Sequence, residues 1–286
     1  MKVLVTGASG HYGKYAVKYL KQYAQADTEI IALVRSSDQA QALNYDNVEF
    51  RIGDYSDIDS LKTAFEGIDR LLFVSVPDFN LQKNVVSAIV ESNIDYVAYT
   101  SIYAVDKDKT GLEQNHQATE RLIQRTGIDH TFLRNNWYLE LIAPFLKAAA
   151  NAKKFEYYAG DHKVAWALRR EYAEAGAKVI LEKNSNEILN LTGQPVSFKQ
   201  LGEFTEQATG KKIDISEVDS SEFDKYLSSL SISDIGAFLS KVYQDYSIRG
   251  NNGEEMANKD TFEAVLGHPL TPLDQAISEL IKNDQL

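Results

Sequence analysis

The glycine-rich segment at residues 7–13, with the sequence GASGHYG, constrains the fold of this chain more than any other feature. It directly follows a short apolar run at residues 3–5 and opens a stretch with helical periodicity. Such a turn lets a dinucleotide's pyrophosphate approach the unpaired N–H groups at a helix N-terminus, because no Cβ holds it away. We therefore predict a phosphate-binding turn, with a glycine turn that binds no ligand as the alternative.

Strand-length apolar runs alternate with helical patterns through the first 135 residues. The runs lie at residues 3–5, 30–34, 48–52, 71–76, 96–100 and 131–133. Between most of them, apolar side chains recur with helical spacing. Alternating strands and helices form βαβ units, whose right-handed crossovers produce a parallel sheet with helices on both faces. The predicted fold class is α/β, with a Rossmann-type doubly wound parallel sheet.

The pattern changes after residue 134. We predict a long helix from about residue 137 to 152 with Pro144 as a kink or boundary, a strand at 188–191, and a mostly helical, polar segment at 198–281. Residues 250–253, GNNG, form the clearest loop. We therefore predict a dinucleotide-binding Rossmann domain over residues 1–135. A smaller, mostly helical substrate-binding lobe follows over residues 136–286, with a soft boundary because later segments are expected to return to the sheet.

Composition excludes several functional classes. The 286 residues carry 30 Lys+Arg against 41 Asp+Glu, a net charge of -11 without a basic run, which argues against a nucleic-acid partner. The absence of cysteine excludes disulfides, thiolate nucleophiles and Cys-type zinc sites, and it fits a reducing compartment. No apolar run approaches the roughly 18–20 residues of a membrane span, and the first run is too short for a signal peptide. We expect a cytoplasmic protein without a membrane partner.

The residue after the predicted second strand distinguishes the two nicotinamide cofactors. An acidic residue there would accept a hydrogen bond from the adenosine ribose of NAD(H). This chain has Arg35 followed by two serines. A guanidinium cannot accept that bond, but it pairs bidentately with a 2′-phosphate. The predicted cofactor is therefore NADP(H), and the alternative is an ordinary surface arginine.

Several motifs resemble those of the NmrA-like group of atypical short-chain dehydrogenase/reductases. They are GASGHYG at 7–13, Arg35, GDYSD at 53–57, YVAYTS at 96–101, LRNNWY at 133–138 and LGHPLTPL at 266–273. Within this group the chain is similar to the bacterial NADPH:quinone oxidoreductases and also to the triphenylmethane-dye reductases. The resemblance runs nearly from end to end.

The resemblance implies cofactor contacts at the carboxyl ends of successive strands, where open α/β sheets bind ligands. It assigns Gly7, Ser9, Gly10, His11, Tyr12 and Gly13 to the pyrophosphate, Arg35 to the 2′-phosphate, Asp54 and Tyr55 to the adenine, Ser75, Val76 and Pro77 to the adenosine ribose and pyrophosphate, and Thr100 and Ser101 to the nicotinamide ribose. For Ser75 and Thr100 the alternative is a strand-end hydroxyl bonded to its own backbone.

The usual catalytic pair of the superfamily is missing. Ordinary members carry Tyr-x-x-x-Lys on the helix after the fifth strand, and the matching positions here are His116 and Glu120. Because these residues are four apart on a helix, Glu120 could orient or charge the imidazole. We predict His116, Glu120 and Ser101 as catalytic residues, with His116 donating a proton or positioning the substrate. A half-buried core histidine is the alternative, and no metal site is predicted because no third ligand is indicated.

Four residues after strand ends are predicted to form the substrate wall, on which a flat ligand would stack over the nicotinamide. They are Tyr103, Asn136, Trp137 and Tyr138. Asn136 could hydrogen-bond either a quinone oxygen or the nicotinamide carboxamide. The alternative for Trp137 and Tyr138 is a role as core anchors.

The predicted function is hydride transfer from NADPH to a quinone or a similar planar electron acceptor, which needs no strong acid–base pair. A non-catalytic NADP(H)-binding redox sensor is the alternative from a different class. A sugar epimerase or hydroxysteroid-type dehydrogenase is disfavoured, because His116 and Glu120 replace the tyrosine and lysine. A homodimer is compatible with such a fold, although no exposed stripe requires one.

Overall fold

A seven-stranded parallel sheet organises the protein, whose computed structural model describes residues 1–282. The last four residues of the predicted C-terminal lobe lie outside the described residues. The strands are Lys2–Val5 (β1), Glu29–Val34 (β2), Glu49–Ile52 (β3), Arg70–Phe73 (β4), Tyr96–Ile102 (β5), Asp129–Asn135 (β6), Trp137–Tyr138 (β7), Lys154–Tyr157 (β8), Lys163–Ala167 (β9), Ile188–Leu191 (β10), Pro195–Ser197 (β11) and Asp214–Glu217 (β12).

The order of strands in the main sheet is β10-β6-β5-β4-β1-β2-β3, and every neighbouring pair is parallel. The chain moves outward from β1 in one direction through β2 and β3, then crosses to β4 on the other side. This reversal leaves a crevice at the carboxyl ends of β1 and β4, the usual ligand position in doubly wound sheets. The predicted α/β, Rossmann-type fold class is confirmed.

Residues 1–282 contain twelve α-helices. They are His11–Tyr23 (α1), Ser37–Leu43 (α2), Ile58–Ala64 (α3), Phe79–Val90 (α4), Leu112–Thr126 (α5), Ala143–Ala152 (α6), Arg169–Glu182 (α7), Phe198–Thr209 (α8), Ser220–Ser229 (α9), Asp234–Arg249 (α10), Asp260–Leu266 (α11) and Leu273–Lys282 (α12). Successive strand residues point to opposite faces: Val3 and Val5 pack with α1 and α7, whereas Leu4 packs with α3 and α4. Both faces are therefore buried, which explains the continuous apolar runs.

Parts of the second half of the chain return to the main sheet. β10 pairs with β6, α7 packs beside α1, and Phe262 of α11 joins the same core. The rest forms a separate apolar core among α6, α8, α9, α10 and α12. Two small sheets border this core, one of order β11-β9-β7 and the other pairing β12 with β8.

The expected long helix at 137–152 was wrong in its first part. Trp137–Tyr138 is a short strand, a 3₁₀ turn follows at Leu139–Leu141, and α6 begins only at Ala143. Pro144 lies in the first turn of α6, where a missing N–H costs no helical hydrogen bond, so it starts the helix instead of kinking it. The short strands β8, β9, β11 and β12 were not predicted.

Candidate functional site

The turn between β1 and α1 leaves the helix N-terminus open. Gly7 has a left-handed φ of +59°, and a Cβ on Gly13 would lie 2.2 Å from the Gly7 carbonyl oxygen. Gly10 is the N-cap of α1, no side chain caps this helix, and its first turn contains no acidic residue. The N–H groups of the first turn and the positive end of the helix dipole are therefore available to an anion.

This open helix end lies beside a cavity of about 440 Å³, the glycine-loop cavity. It is located at the carboxyl ends of β1 to β4, where the fold predicts a ligand. The residues predicted for the cofactor that line it are Gly7, Ser9, Gly10, His11, Tyr12, Gly13, Arg35, Asp54, Tyr55, Ser75 and Val76. The structure thus brings together residues from four strand ends around a single cavity.

Arg35 is exposed at the edge of this cavity. Within residues 1–282 its guanidinium makes no hydrogen bond or ion pair, whereas its backbone N–H donates to Gln39 Oε1 at 2.9 Å. Asp54, on the same cavity, accepts hydrogen bonds from the backbone and hydroxyl of Ser56, and these bonds lower the pKa of its carboxyl. The positive charge of Arg35 adds to that effect. Arg35 is therefore a cation available to a ligand.

The two tyrosines of the glycine-loop cavity use their hydroxyls inside the protein. Tyr12 donates to the carbonyl of Tyr172 at 3.0 Å, and Tyr55 donates to the carbonyl of Val74 at 2.7 Å. Burial raises the pKa of Tyr12 well above its ordinary value, so its phenol stays protonated. Both residues shape the cavity without offering it a reactive phenol.

A second cavity of about 280 Å³, the histidine cavity, adjoins the first, and both are lined by Tyr12, Val74, Ser75 and Val76. The other predicted site residues that line it are Pro77, Thr100, Ser101, His116, Asn136, Trp137 and Tyr138, and its remaining wall residues are Ile102, Leu112, Asn135 and Leu141. One elongated site therefore runs from Arg35 to the aromatic residues after β6.

Ser75 and Thr100 join the two strand ends at the centre of this site. The backbone N–H of Ser75 donates to Thr100 Oγ1 at 2.8 Å, and the two hydroxyl oxygens lie 3.1 Å apart. Thr100 thus bonds the neighbouring strand and not its own backbone. These bonds hold the ends of β4 and β5 side by side, at the place where the two cavities meet.

His116 projects from α5 into the histidine cavity and is 9% exposed. Its Nδ1 lies 3.0 Å from the hydroxyl of Tyr99, which donates to Gln82 Oε1 at 2.6 Å. Burial lowers the pKa of His116 to about 4, because desolvation penalises the charged imidazolium. At neutral pH the imidazole is therefore uncharged, and a neutral imidazole is a much weaker acid than the imidazolium.

Glu120 makes no hydrogen bond or ion pair with His116, which corrects the expected pairing. Its two carboxylate oxygens accept from Arg134 Nε and Nη2 at 2.9 and 2.7 Å, and Ser101 Oγ donates to the same carboxylate at 2.6 Å. Ser101 and Arg134 are opposite each other on β5 and β6, so both side chains meet α5 one turn beyond His116. The bidentate guanidinium is a stronger partner than a neutral imidazole. Glu120 therefore braces the sheet.

Tyr103 lies outside the histidine cavity. It is buried, its hydroxyl donates to the Gly253 carbonyl at 3.2 Å, and its ring lies 5.2 Å from Lys109 Nζ. The expected wall role is instead available to Trp137 and Tyr138, which do line the cavity. Both also pack inward, Trp137 against two tyrosines of α10 and Tyr138 against Tyr172. The geometry combines the wall and core roles in the same residues.

The comparisons with known proteins agree with this geometry. A family model described as the NmrA-like family matches residues 1–263. The chain belongs to the NmrA-like family.

Two bacterial enzymes are similar to this chain over nearly its whole length. Quinone oxidoreductase 2 of Escherichia coli is 30% identical over 284 residues, covering 97% of this chain and 98% of the relative. Its crystal structure as an NADPH-dependent enzyme in complex with NADPH has a TM-score of 0.84, with 98% of this chain and 100% of that chain covered. Citrobacter sp. triphenylmethane reductase in complex with NADP(H) is 30% identical, with a TM-score of 0.86 and coverage of 97% and 99%.

Arg169 lies beside Tyr138, one of the aromatic residues of the histidine cavity. The guanidinium of Arg169 lies 5.2 Å from the ring centre of Tyr138, and within residues 1–282 it has no ion pair. Burial lowers the pKa of His11, and the charge of Arg169 lowers it further. The adjacent Arg170 pairs with Glu279 at 3.1 Å. A run of charges at a helix start predicts an ion pair such as that of Arg170, but it does not predict the contact of Arg169 with Tyr138.

Residues 1–282 contain neither a cluster of metal ligands nor a membrane-spanning helix. No three His, Asp or Glu side chains in that part of the chain lie close enough together to hold a metal ion. Among the same residues, no helix combines the length and apolar character that crossing a bilayer requires.

Proposed function

We propose that this protein is an NADPH-dependent oxidoreductase that transfers hydride to a quinone or to a similarly planar electrophile. The observation that carries the proposal is the pair of adjoining cavities at the carboxyl ends of the sheet. One has an open helix N-terminus and Arg35, whose guanidinium has no partner in the described part of the chain, and the other has aromatic walls. Relatives 30% identical over nearly the whole chain, named as quinone oxidoreductase and triphenylmethane reductase, support an enzyme of this kind.

The residues of the glycine-loop cavity fit NADP(H). Gly7 and Gly10 carry no side chain where a pyrophosphate would approach the first turn of α1, and Gly13 lets that turn pack closely on Gly7 and Ala8. Arg35 would hold the 2′-phosphate, because a guanidinium can pair bidentately with a phosphate, which the ammonium group of a lysine cannot do. When bound, the nicotinamide supplies a hydride.

The histidine cavity would hold the acceptor next to the nicotinamide end of the cofactor. Trp137 and Tyr138 give a flat apolar wall, and His116 presents a neutral imidazole from the opposite helix. Its contact with Tyr99 fixes the ring, so His116 would orient an acceptor by a hydrogen bond. Orientation and exclusion of water are the contributions a planar acceptor needs most.

The chemistry of this cavity disfavours reactions that depend on a strong acid–base pair. His116 is uncharged at neutral pH, and Glu120 is engaged with Arg134 and Ser101. A quinone that accepts a hydride becomes a hydroquinone anion and then takes one proton, which water can supply. An alcohol or sugar substrate would require the protein to move that proton during the hydride transfer.

The test is the rate of NADPH consumption by the purified, flavin-free protein with a panel of quinones and triphenylmethane dyes. NADH serves as the control cofactor. We expect consumption with NADPH, little with NADH, and loss of this preference in the Arg35→Ala variant. Tight NADPH binding without consumption by any acceptor would overturn the reductase proposal and favour the redox-sensor alternative.

A further inference from the structure

A buried ion pair lies directly behind the histidine cavity. Lys109 is 0% and Glu254 2% exposed, and Lys109 Nζ lies 2.9 Å from Glu254 Oε1. The hydroxyl of Tyr246 accepts from Lys109 Nζ at 2.5 Å and donates to Glu254 Oε1 at 2.6 Å. The ammonium group also lies 5.2–5.6 Å from the ring centres of Tyr103, Trp137 and Tyr246. Removing two charges from water costs free energy, so a buried ion pair is weak evidence for stability alone, and the further contacts of this pair point to another role.

A different loop, residues 250–253 (GNNG), positions Glu254 beside Lys109. Asn252 Oδ1 accepts from the Glu254 backbone N–H at 3.1 Å, and Asn252 Nδ2 donates to the Tyr246 carbonyl at 3.0 Å. Gly253 has a φ of +79°, and a Cβ there would lie 2.7 Å from the Cβ of Ala104. Gly253 therefore packs closely on Ala104, just after β5, and this contact positions the adjacent Glu254.

The second oxygen of this carboxylate fixes the orientation of Asn136. Glu254 Oε2 accepts from Asn136 Nδ2 at 3.0 Å and from the Ala165 backbone N–H at 2.9 Å. A carboxylate oxygen can only accept, so the amide nitrogen of Asn136 must face Glu254. Within residues 1–282 the buried carbonyl oxygen of Asn136 has no hydrogen-bond partner, and Asn136 lines the histidine cavity.

Because Glu254 engages Asn136 Nδ2, the atom of this amide that is left for a ligand is its carbonyl oxygen, which is an acceptor and not a donor. A quinone oxygen is also an acceptor, so Asn136 Oδ1 cannot bind it. The nicotinamide carboxamide carries an NH₂ group, which can donate to this oxygen. Of the two ligands expected for Asn136 from the sequence, only the carboxamide matches the atom that remains.

We propose that Asn136 binds the carboxamide NH₂ of the nicotinamide and that Glu254, paired with Lys109, is the positioning residue that sets the amide's orientation. This inference rests on the proposed function, because it assumes that NADP(H) occupies the two cavities. Asn136 and Glu254 would together fix the orientation of the nicotinamide ring about its bond to the ribose. One face of the ring would then be presented to the acceptor.

The test compares two oxidised cofactors whose dissociation constants are measured by calorimetry without an acceptor. One is NADP⁺ and the other is its 3-acetylpyridine analogue, in which a methyl group replaces the carboxamide NH₂. The native protein should bind NADP⁺ roughly tenfold more tightly, because the analogue leaves a buried acceptor unsatisfied. In Asn136→Ala this ratio should fall to about one, mainly through weaker binding of NADP⁺.

Asn135→Ala is the matched control. Its side chain lines the same cavity and also has a buried, unpartnered Oδ1, but its amide nitrogen faces Tyr138 and not a carboxylate. The roughly tenfold ratio should persist in this variant. Loss of the ratio in Asn135→Ala, or its persistence in Asn136→Ala, would overturn the assignment.

The role of Glu254 is tested with the double variant Lys109→Met, Glu254→Gln, which removes both buried charges and leaves neither uncompensated. A glutamine can turn its own NH₂ toward Asn136, so the amide is no longer fixed. We expect the binding ratio to fall to roughly threefold or less. A ratio equal to that of the native protein would assign Glu254 to folding alone.

Failure of this inference is distinguishable from failure of the proposed function. If native protein binds NADP⁺ but the ratio is insensitive to Asn136, only the carboxamide assignment falls. If native protein binds neither cofactor, the proposed function falls and takes the inference with it.

Discussion

The glycine-loop cavity and the histidine cavity share four wall residues but are built in different ways. The first depends on the backbone of one contiguous segment, residues 7–13, together with a few residues at the next strand ends. The second depends on side chains held by distant partners, such as Ser101 with Glu120 and Asn136 with Glu254. A backbone cradle tolerates few changes, whereas a wall of side chains can be altered residue by residue.

This difference predicts where changes in specificity arise. The glycine-loop cavity should remain constant among proteins that use the same cofactor. The histidine cavity should vary with the acceptor, provided that the buried pairs behind it are kept. Each of the following predictions tests one side of this comparison.

The largest effect is expected for Glu120→Ala. The variant leaves the guanidinium of Arg134 and the hydroxyl of Ser101 without their shared partner, in a place where Glu120 is 5% exposed. The free energy of unfolding should fall by about 3–5 kcal/mol in urea denaturation. Asp224→Ala, which breaks the exposed pair with Lys241, is the control and should cost less than about 1 kcal/mol. Similar losses in both variants would refute a bracing role for Glu120.

Gly13→Ala should be the next most severe change, on the side of the glycine-loop cavity. The added Cβ would lie 2.2 Å from the Gly7 carbonyl oxygen and 2.7 Å from Ala8 Cα, both of them backbone atoms. We expect a loss of about 3 kcal/mol in stability together with loss of NADPH binding. Gly67→Ala is the control, since Gly67 has φ +67° with open space around it and should cost only about 1 kcal/mol. Unchanged NADPH binding in Gly13→Ala would contradict the proposal that residues 7–13 bind the pyrophosphate.

The histidine cavity should also give a distinct pH dependence. His116 has a pKa of about 4 in the folded protein against 6.5 when unfolded, so between these values the unfolded state binds more protons. Stability should therefore fall as the pH drops from about 6.5 to about 4, with His116 accounting for roughly 3 kcal/mol. His116→Gln should remove that part of the loss.

The control for the pH experiment is His268→Gln. His268 has a raised pKa, chiefly through its hydrogen bond to Pro269, and its stabilising contribution is lost as the pH rises. This variant should therefore keep the loss of stability on the acid side. Unfolding free energies measured by urea denaturation at several pH values would separate the two histidines. An acid-side loss that is identical in native protein and His116→Gln would refute the buried, uncharged imidazole.

The smallest expected effect is on cofactor choice. Arg35→Ala removes an exposed cation that has no partner within residues 1–282, so folding stability should change by less than about 0.5 kcal/mol. NADPH affinity should fall roughly ten- to hundredfold, because a charge-assisted contact to the 2′-phosphate is lost. NADH affinity, measured in the same titration, should stay within about twofold. Equal losses for both cofactors would place Arg35 away from the 2′-phosphate.

The sequence allowed the main sheet and the glycine-loop cavity to be predicted because both depend on local signals. The main sheet has seven strands. Strand-length apolar runs before residue 136 located six of them, β1 to β6, and the run at 188–191 located β10. The site residues of this region follow strand ends directly, and a parallel sheet brings all such ends to one edge.

The histidine cavity could be predicted only in part, because its partners lie far apart in the chain. His116 and Asn136 were found from their positions, but the spacing of His116 and Glu120 suggested a contact that Arg134 takes instead. Lys109 and Glu254 are 145 residues apart and neither belongs to a motif. Likewise β8 and β12 are four residues each and exist through pairing with one another. Local patterns carry no information on such partners.

The central claim is direct hydride transfer from the nicotinamide of NADPH to an acceptor that lies beside it in the histidine cavity. It is tested most directly by single-turnover rates with NADPH deuterated at either position of C4, using the purified, flavin-free protein and a quinone. Because the nicotinamide would be held in one setting, the account predicts a slower turnover with only one of the two deuterated forms. Equal rates with both forms, or no turnover with any quinone, would contradict it.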